Sequence, residues 1–368
     1  MTYTGTFGIH FPIHQPGWVE LTAPAYVDLA GQAEAAGFET VWINDNFKAR
    51  HTFSLLAAIA ARHRVGLGTL VTYPYARNPM DLATALGTVA ELSGRREVRV
   101  GISTGARAIQ GPLVDRPARE TAVREAMDIA RRLFAGEDVA FRDFPVLSAY
   151  YHIKAAAHLR IQFRPAQPLS FWIPPKGPRM LRLAAEHADG VIFNTYTQYA
   201  ARPFLRDGTL ERTVEEMERL RRSAGNTAPL RKIFKLDMSL AADRSVARRF
   251  ARNFVSFNAA GDADRYIGVG FAAEPLLTLR ERYRAGASIE ECAELVSDEL
   301  LDWITLAGAP DDVAEGFAEY LEAAERLHFE QVILAVPVGP DPAEAIELAR
   351  TRLLPLVRPE AALPPVTR

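Results

Sequence analysis

A chain of 368 residues with 48% hydrophobic and 24% charged side chains has the makeup of a globular protein that buries a sizeable core. Its net charge of −2 provides no field to gather nucleic acid or an anionic membrane, and the lone Cys292 excludes an intramolecular disulfide. Neither a secretory h-region nor an apolar run of the roughly 18 residues needed for a membrane span is present, so the expectation is a soluble, cytoplasmic protein acting on a small molecule.

The first strand is expected at residues 7–11 and carries His10. A helix at 24–36, stopped by Gly37, leads to a strand at 40–43 and then to Asn44-Asp45-Asn46-Phe47. The strand at 65–72 contains Leu70, Val71 and Thr72 and runs into Tyr73-Pro74-Tyr75-Ala76-Arg77. Asn78-Pro79 opens a helix at 79–92, which ends at Ser93-Gly94, and the strand at 98–102 stops in Ser103-Thr104-Gly105. A helix at 119–134 and a strand at 170–173 follow, then Pro174-Pro175-Lys176-Gly177-Pro178-Arg179 and a helix at 179–187. Strands at 190–194, ending in Asn194, at 233–240 and at 331–336 complete the set before a closing helix at 341–357. Most of these strands are continuous apolar runs, the pattern of strands covered on both faces. Helices between successive strands supply the crossovers that parallel pairing requires. Eight strands alternating with helices give a (β/α)8 TIM barrel.

Two stretches exceed a bare barrel: 106–169, and 243–310 with helices at 245–257, 274–285 and 288–301. A single domain over 1–358 with these insertions at the C-terminal strand ends is expected, with a loose tail at 359–368. Barrel chemistry lies at those strand ends, so His10, Asp45, Asn46, Thr72, Ser103, Thr104, Gly105, Lys176 and Asn194 are the residues to watch. Trp303, Phe257 and Tyr266 either line the substrate side or belong to the core. Lys176-Gly177-Pro178-Arg179 stands at a helix N-terminus, where free N–H groups and two cations favour an anion such as a cofactor phosphate. The alternative is simple helix initiation with exposed charges. No metal-ligand spacing, dinucleotide fingerprint, P-loop or Gly-x-Ser-x-Gly elbow occurs, which leaves a bound organic cofactor as the economical source of chemistry.

The order of segments resembles the bacterial luciferase-like superfamily of flavin and deazaflavin oxidoreductases. The resemblance rests on Ala36-Gly37-Phe38-Glu39-Thr40-Val41-Trp42-Ile43-Asn44-Asp45, on Tyr73-Pro74-Tyr75-Ala76-Arg77-Asn78-Pro79, on Glu91-Leu92-Ser93-Gly94-Arg95, on Ala188-Asp189-Gly190-Val191 and on Gly308-Ala309-Pro310-Asp311-Asp312. Phe7-Gly8-Ile9-His10 and Trp42-Ile43-Asn44-Asp45-Asn46-Phe47 are most similar to the coenzyme F420 branch, typified by the methylenetetrahydromethanopterin reductases. The resemblance implies a cis peptide at Leu70–Val71 backing the ring of F420. It also implies ring contacts from Asp45, Asn46 and Asn194, and a phosphate site of Ser103, Thr104, Gly105, Lys176, Gly177, Pro178 and Arg179. A homodimer is implied as well.

Three departures bear on mechanism. Asn46 stands where the branch usually has His, Ala106 where relatives carry Asp or Glu, and His10 where the reductases place a Glu near the first strand's end. Asparagine neither takes nor gives a proton near neutrality, whereas an imidazole does, so His10 is expected to handle the proton, with Asp45 and Asn46 beside it as catalytic candidates. The alternative for His10 is a buried histidine bonded to a neighbour. The expected activity is hydride transfer between F420 and an organic substrate with a C=C or C=N bond, in specialised metabolism. An FMN-dependent monooxygenase and a non-catalytic flavin-binding barrel are the alternatives.

Overall fold

The structure, a computed structural model, describes residues 3–13, 20–94, 96–105, 111–165 and 168–357, with Pro337 described by its backbone only. The expected tail at 359–368, Ala106 and Arg95 lie outside the described residues. The strands are β1 (Thr6–Phe11), β2 (Thr40–Ile43), β3 (Gly66–Thr72), β4 (Val98–Ile102), β5 (Val139–Ala140), β6 (His158–Leu159), β7 (Leu169–Ile173), β8 (Gly190–Asn194), β9 (Arg231–Leu240), β10 (Leu306–Gly308) and β11 (Gln331–Val338). The fold is a (β/α)8 TIM barrel, and the eight expected strands all form within two residues of their expected bounds. The chain divides into two compact units.

One unit comprises residues 1–39, 193–216 and 232–368. Its strands are parallel in the order β10-β9-β11-β1. Phe7 of β1 pairs in register with Val332 of β11, and Val332 with Phe234 of β9. Phe7 packs on Phe317 with ring centroids 6.1 Å apart and Phe234 on Tyr320 at 5.6 Å, so this register level faces the helix Pro310–Arg326. Strand alternation turns the next level, Gly8, Ile333 and Lys235, to the opposite face. Two residues further on, His10 follows Ile9 and faces the same way as Ala335 and Asp237. The helices Arg244–Gly268, Ala273–Arg284, Ile289–Ala293 and Asp298–Ile304 share one buried apolar cluster with Tyr196 and Val336.

The other unit comprises residues 40–192 and 217–231, with parallel strands in the order β2-β3-β4-β7-β8. Two register pairs join a tryptophan to a glycine: Trp42 to Gly68 and Trp172 to Gly190. A Cβ on Gly68 would lie 2.3 Å from the Trp42 ring, and one on Gly190 would lie 2.2 Å from the Trp172 ring. Both indoles are fully buried in the space that a side chain on the neighbouring strand would take. The 106–169 stretch adds the helices Arg119–Phe134 and Pro145–Tyr150 and the antiparallel pair β5–β6. Tyr151 donates to the carbonyl of Pro74 at 2.8 Å and Tyr75 to that of Pro117 at 2.6 Å, so this insertion holds the loop after β3.

The expected helix 288–301 is two helices, because the Ser297 hydroxyl accepts from the amide of Leu300 at 3.1 Å and caps a fresh start. The expected helix 341–357 is α-helical only over Pro342–Leu348 and then loosens into a π turn and a 3-10 turn. Pro355 has no N–H with which to continue the ladder. The helices Thr52–Arg62 and Thr209–Ser223 and the short β10 come in addition to the expected elements.

Candidate active site

In the second unit, the ends of β2, β3 and β4 meet around Asp45. The Asp45 amide donates to the carbonyl of Val71 at 3.1 Å, and the Ser103 amide donates to that of Thr72 at 3.0 Å. The peptide Leu70–Val71 is cis. The Asp45 carboxylate is buried and accepts from Thr72 Oγ1 at 2.9 Å, Thr52 Oγ1 at 3.1 Å, Arg77 Nε at 3.2 Å and Arg77 Nη2 at 2.9 Å. Asn46, also buried, accepts the amide of Lys48 through Oδ1 at 2.9 Å, which closes an Asx turn and leaves its amide N–H donors outside the turn.

The Ser103-Thr104-Gly105 turn has Gly105 at φ 76°, a backbone angle that glycine adopts at no steric cost. Arg116 donates to the carbonyls of Thr104 at 3.2 Å and Gly105 at 2.9 Å. With Arg119, Arg116 also lines a cleft of about 550 Å³. The helix Pro178–His187 begins at Gly177 with no side-chain cap, and a Cβ on Gly177 would meet nothing within 4 Å. Uncapped N–H groups, open space and the adjacent Lys176 and Arg179 favour an anion at this helix start.

In the first unit, His10 is buried on β1, with 2% of its surface exposed. On β9, the Lys235 ammonium is paired with the Asp237 carboxylate, and both are buried. The ammonium lies 5.2 Å from the centroid of the Tyr196 ring and 5.7 Å from that of Phe254. Thr195 Oγ1 accepts the Asp237 amide at 3.1 Å, and the Thr195 amide donates to the carbonyl of Lys235 at 3.1 Å. Asn194, buried at the end of β8, uses its carbonyl to hold a turn, accepting from Thr197 Oγ1 at 2.8 Å. Tyr266 is wholly buried edge-on to Trp303 at 5.5 Å, and its hydroxyl has no hydrogen-bond partner among the described residues. Burial, reinforced by the negative charge of Asp262, raises that phenol well above its ordinary range. Phe257 packs against Tyr283 at 6.0 Å.

The sequence pattern of the luciferase-like monooxygenases matches residues 6–326. The chain belongs to this family. It is 30% identical over 361 residues to the 5,10-methylenetetrahydromethanopterin reductase of Archaeoglobus fulgidus, covering 96% of this chain and 99% of the relative. To the F420-dependent glucose-6-phosphate dehydrogenase of Intrasporangium calvum it is 28% identical, over 90% of this chain and 94% of the relative. Among solved structures, the coenzyme F420 dependent tetrahydromethanopterin reductase of Methanopyrus kandleri shares the fold with a TM-score of 0.76 at 23% identity, over 96% and 99% of the two chains.

This luciferase-like protein brings Asp45, Asn46, Leu70, Val71, Thr72 and Ser103 into adjoining strand ends. It also has two sets of polar residues that reading the sequence did not single out. One is Lys235 with Asp237, whose signal is two charges two residues apart in the otherwise apolar run IFKLDMSL. The other is Thr52 with Arg77, the latter noted in the sequence only as part of the loop after β3; they reach Asp45 from seven and 32 residues further along the chain. Among the described residues no group of three or more His, Cys, Asp or Glu is placed to hold a metal, and no helix is long and apolar enough to cross a membrane.

Proposed function

We propose that the protein is a coenzyme F420-dependent oxidoreductase, acting as a reductase on an organic substrate with a C=C or C=N bond. The observation that carries this reading is end-to-end kinship with reductases and dehydrogenases, one of them named for its F420 dependence. The donor set of the second unit supports it. Ser103, Thr104, Gly105, Lys176, Gly177, Pro178 and Arg179 would hold the phosphate-bearing tail, and Asn46 would offer its amide donors to the ring system. Leu70 and Val71 would back the ring, and Asn194 would present its side-chain amide.

When bound, F420 supplies or accepts the hydride. The chain's own task is to orient the reactants, exclude water and move the accompanying proton. His10 on β1 and Lys235 and Asp237 on β9 are buried groups of the first unit with protons to exchange, facing the same way with β11 between the two strands. A homodimer is the assembly proposed, to be checked by light scattering.

Equilibrium binding of F420 and, separately, of FMN tests the cofactor, read by fluorescence quenching. Micromolar or tighter binding of F420 with weak binding of FMN is expected, followed by oxidation of reduced F420 on adding unsaturated acceptors. A preference for FMN would move the chemistry to oxygen activation, and binding of neither would overturn the assignment.

A further inference from the structure

An ionised carboxylate offers about four lone-pair directions. At Asp45 all four are taken, two by the Thr52 and Thr72 hydroxyls and two by the side-on guanidinium of Arg77. To serve as a base toward a bound molecule, this carboxylate would have to give up one of those bonds. To serve as an acid it would have to carry its proton on an oxygen whose lone pairs already accept from these donors. The Arg77–Asp45 pair is nearly closed to water, with side chains 14% and 2% exposed.

The remaining contacts of Arg77 extend the arrangement. Its Nη1 lies 2.6 Å from His51 Nε2, and His51 Nδ1 accepts the amide of Ser54 at 3.2 Å as the cap of the following helix. Its guanidinium lies over the Phe53 ring at 5.0 Å. The helix Thr52–Arg62 begins at Thr52, whose hydroxyl also reaches the carbonyl of Asn44 at 3.0 Å. One carboxylate therefore ties the end of β2, the start of that helix, the end of β3 and the loop that carries Arg77. Thr72, held by its side chain, passes the constraint to β4 through its carbonyl and the Ser103 amide.

We propose that Asp45 is a positioning residue and that Asp45, Thr52, Thr72 and Arg77 form a clamp that sets the backbone of residues 70–72 and 103 for the cofactor ring. The proposal rests on the F420 reading above, and the clamp itself is a property of the cofactor-free chain. Asp45→Asn puts an NH2 group against donors and Arg77→Met removes the cation, so each releases the same clamp. A lysine at position 77 offers one point charge where the geometry uses a planar fork.

Two measurements test this on the full chain. In cofactor-free protein, hydrogen exchange read by mass spectrometry is expected to quicken at least about tenfold in peptides covering residues 68–77 and 100–105 in D45N and R77M, with the rest of the chain unchanged. In parallel, F420 affinity is expected to fall about 10- to 100-fold in each single variant, and D45N/R77M is expected to be no weaker than the worse single. Thr52→Val, which removes one of the four bonds, is the gentler variant should D45N fail to fold, and it should give a smaller loss in the same direction. Unchanged exchange in these peptides would overturn the clamp. So would wild-type F420 affinity in D45N with hydride transfer alone abolished, which would make Asp45 an acid or base. If wild-type protein binds no F420 while the exchange result holds, the cofactor reading fails and the clamp stands.

Discussion

Lys235 and Asp237 pose the sharpest question at the level of single residues. Desolvating an ion pair costs several kcal/mol, and replacing such a pair with well-packed apolar groups is often neutral or stabilising. A buried pair kept on the same face as His10, with Ala335 as a small neighbour in the intervening strand, therefore calls for a use beyond stability. General acid–base groups contribute about 10²- to 10⁴-fold to rate. Lys235→Met is expected to slow hydride transfer to an acceptor that the wild type reduces by about that factor, with F420 quenching within roughly twofold of wild type. Stopped-flow oxidation of reduced F420 measures the first and equilibrium titration the second. A K235M protein as fast as wild type would make the pair structural. The His10→Phe variant extends the test, because a loss in H10F without one in K235M would assign the proton to the imidazole alone.

Elements show which physics a single sequence carries. Strands such as 40–43, 98–102 and 190–194 are legible because apolar runs bounded by Gly, Asn and Ser are local signals, and all three form over the expected residues. The breaks at Ser297 and Pro355 are legible in principle, since a cap and a missing donor act locally. Long-range fitting is not legible: nothing near Gly68 in the chain announces that the Trp42 indole lies over it, 26 residues away. The site divides in the same way. Asp45 and Asn46 stand out because they follow a strand, but the four bonds that commit Asp45 depend on tertiary structure. Gly68→Ala is expected to destabilise the fold by about 1–3 kcal/mol, the usual cost of forcing extra atoms into a packed core. Trp42→Phe in the same background should recover part of that loss by clearing space for the methyl group. Thermal midpoints of the two single variants and the double variant decide it. If the methyl group in G68A costs nothing, the close approach of strand and indole is wrong.

At the scale of the whole molecule, the chain's response to acid follows from groups remote from the strand ends where chemistry is expected. Glu97 immediately precedes β4, at the N-terminal end of that strand, where barrels concentrate stability rather than catalysis. It accepts from Arg231 Nη1 at 2.6 Å, Arg231 Nη2 at 2.8 Å and Arg99 Nε at 3.1 Å, and the Arg231 guanidinium lies 4.8 Å from the centroid of the Trp172 ring. Burial pushes the Glu97 carboxyl up, but hydrogen bonds from Arg231 and Ser170 and the charges of Arg231 and Arg99 outweigh it and hold the pKa at about 2. A carboxyl with a lowered folded pKa adds stability that is complete above its ordinary value near 4.5 and disappears as pH falls through about 2. Partial exposure of the Glu97 and Arg231 side chains, 22% and 33%, screens the pair and brings the contribution to about 1–3 kcal/mol. Glu97→Gln is therefore expected to lower the thermal midpoint at pH 7 and to converge on wild type as the pH approaches 2. A deficit equal at both ends of the range would mean that the residue acts through shape, not charge. Because Arg231 covers the indole that fills the space beside Gly190, loss of the pair at low pH should loosen the β7–β8 pair first, as faster hydrogen exchange in peptides covering residues 169–192.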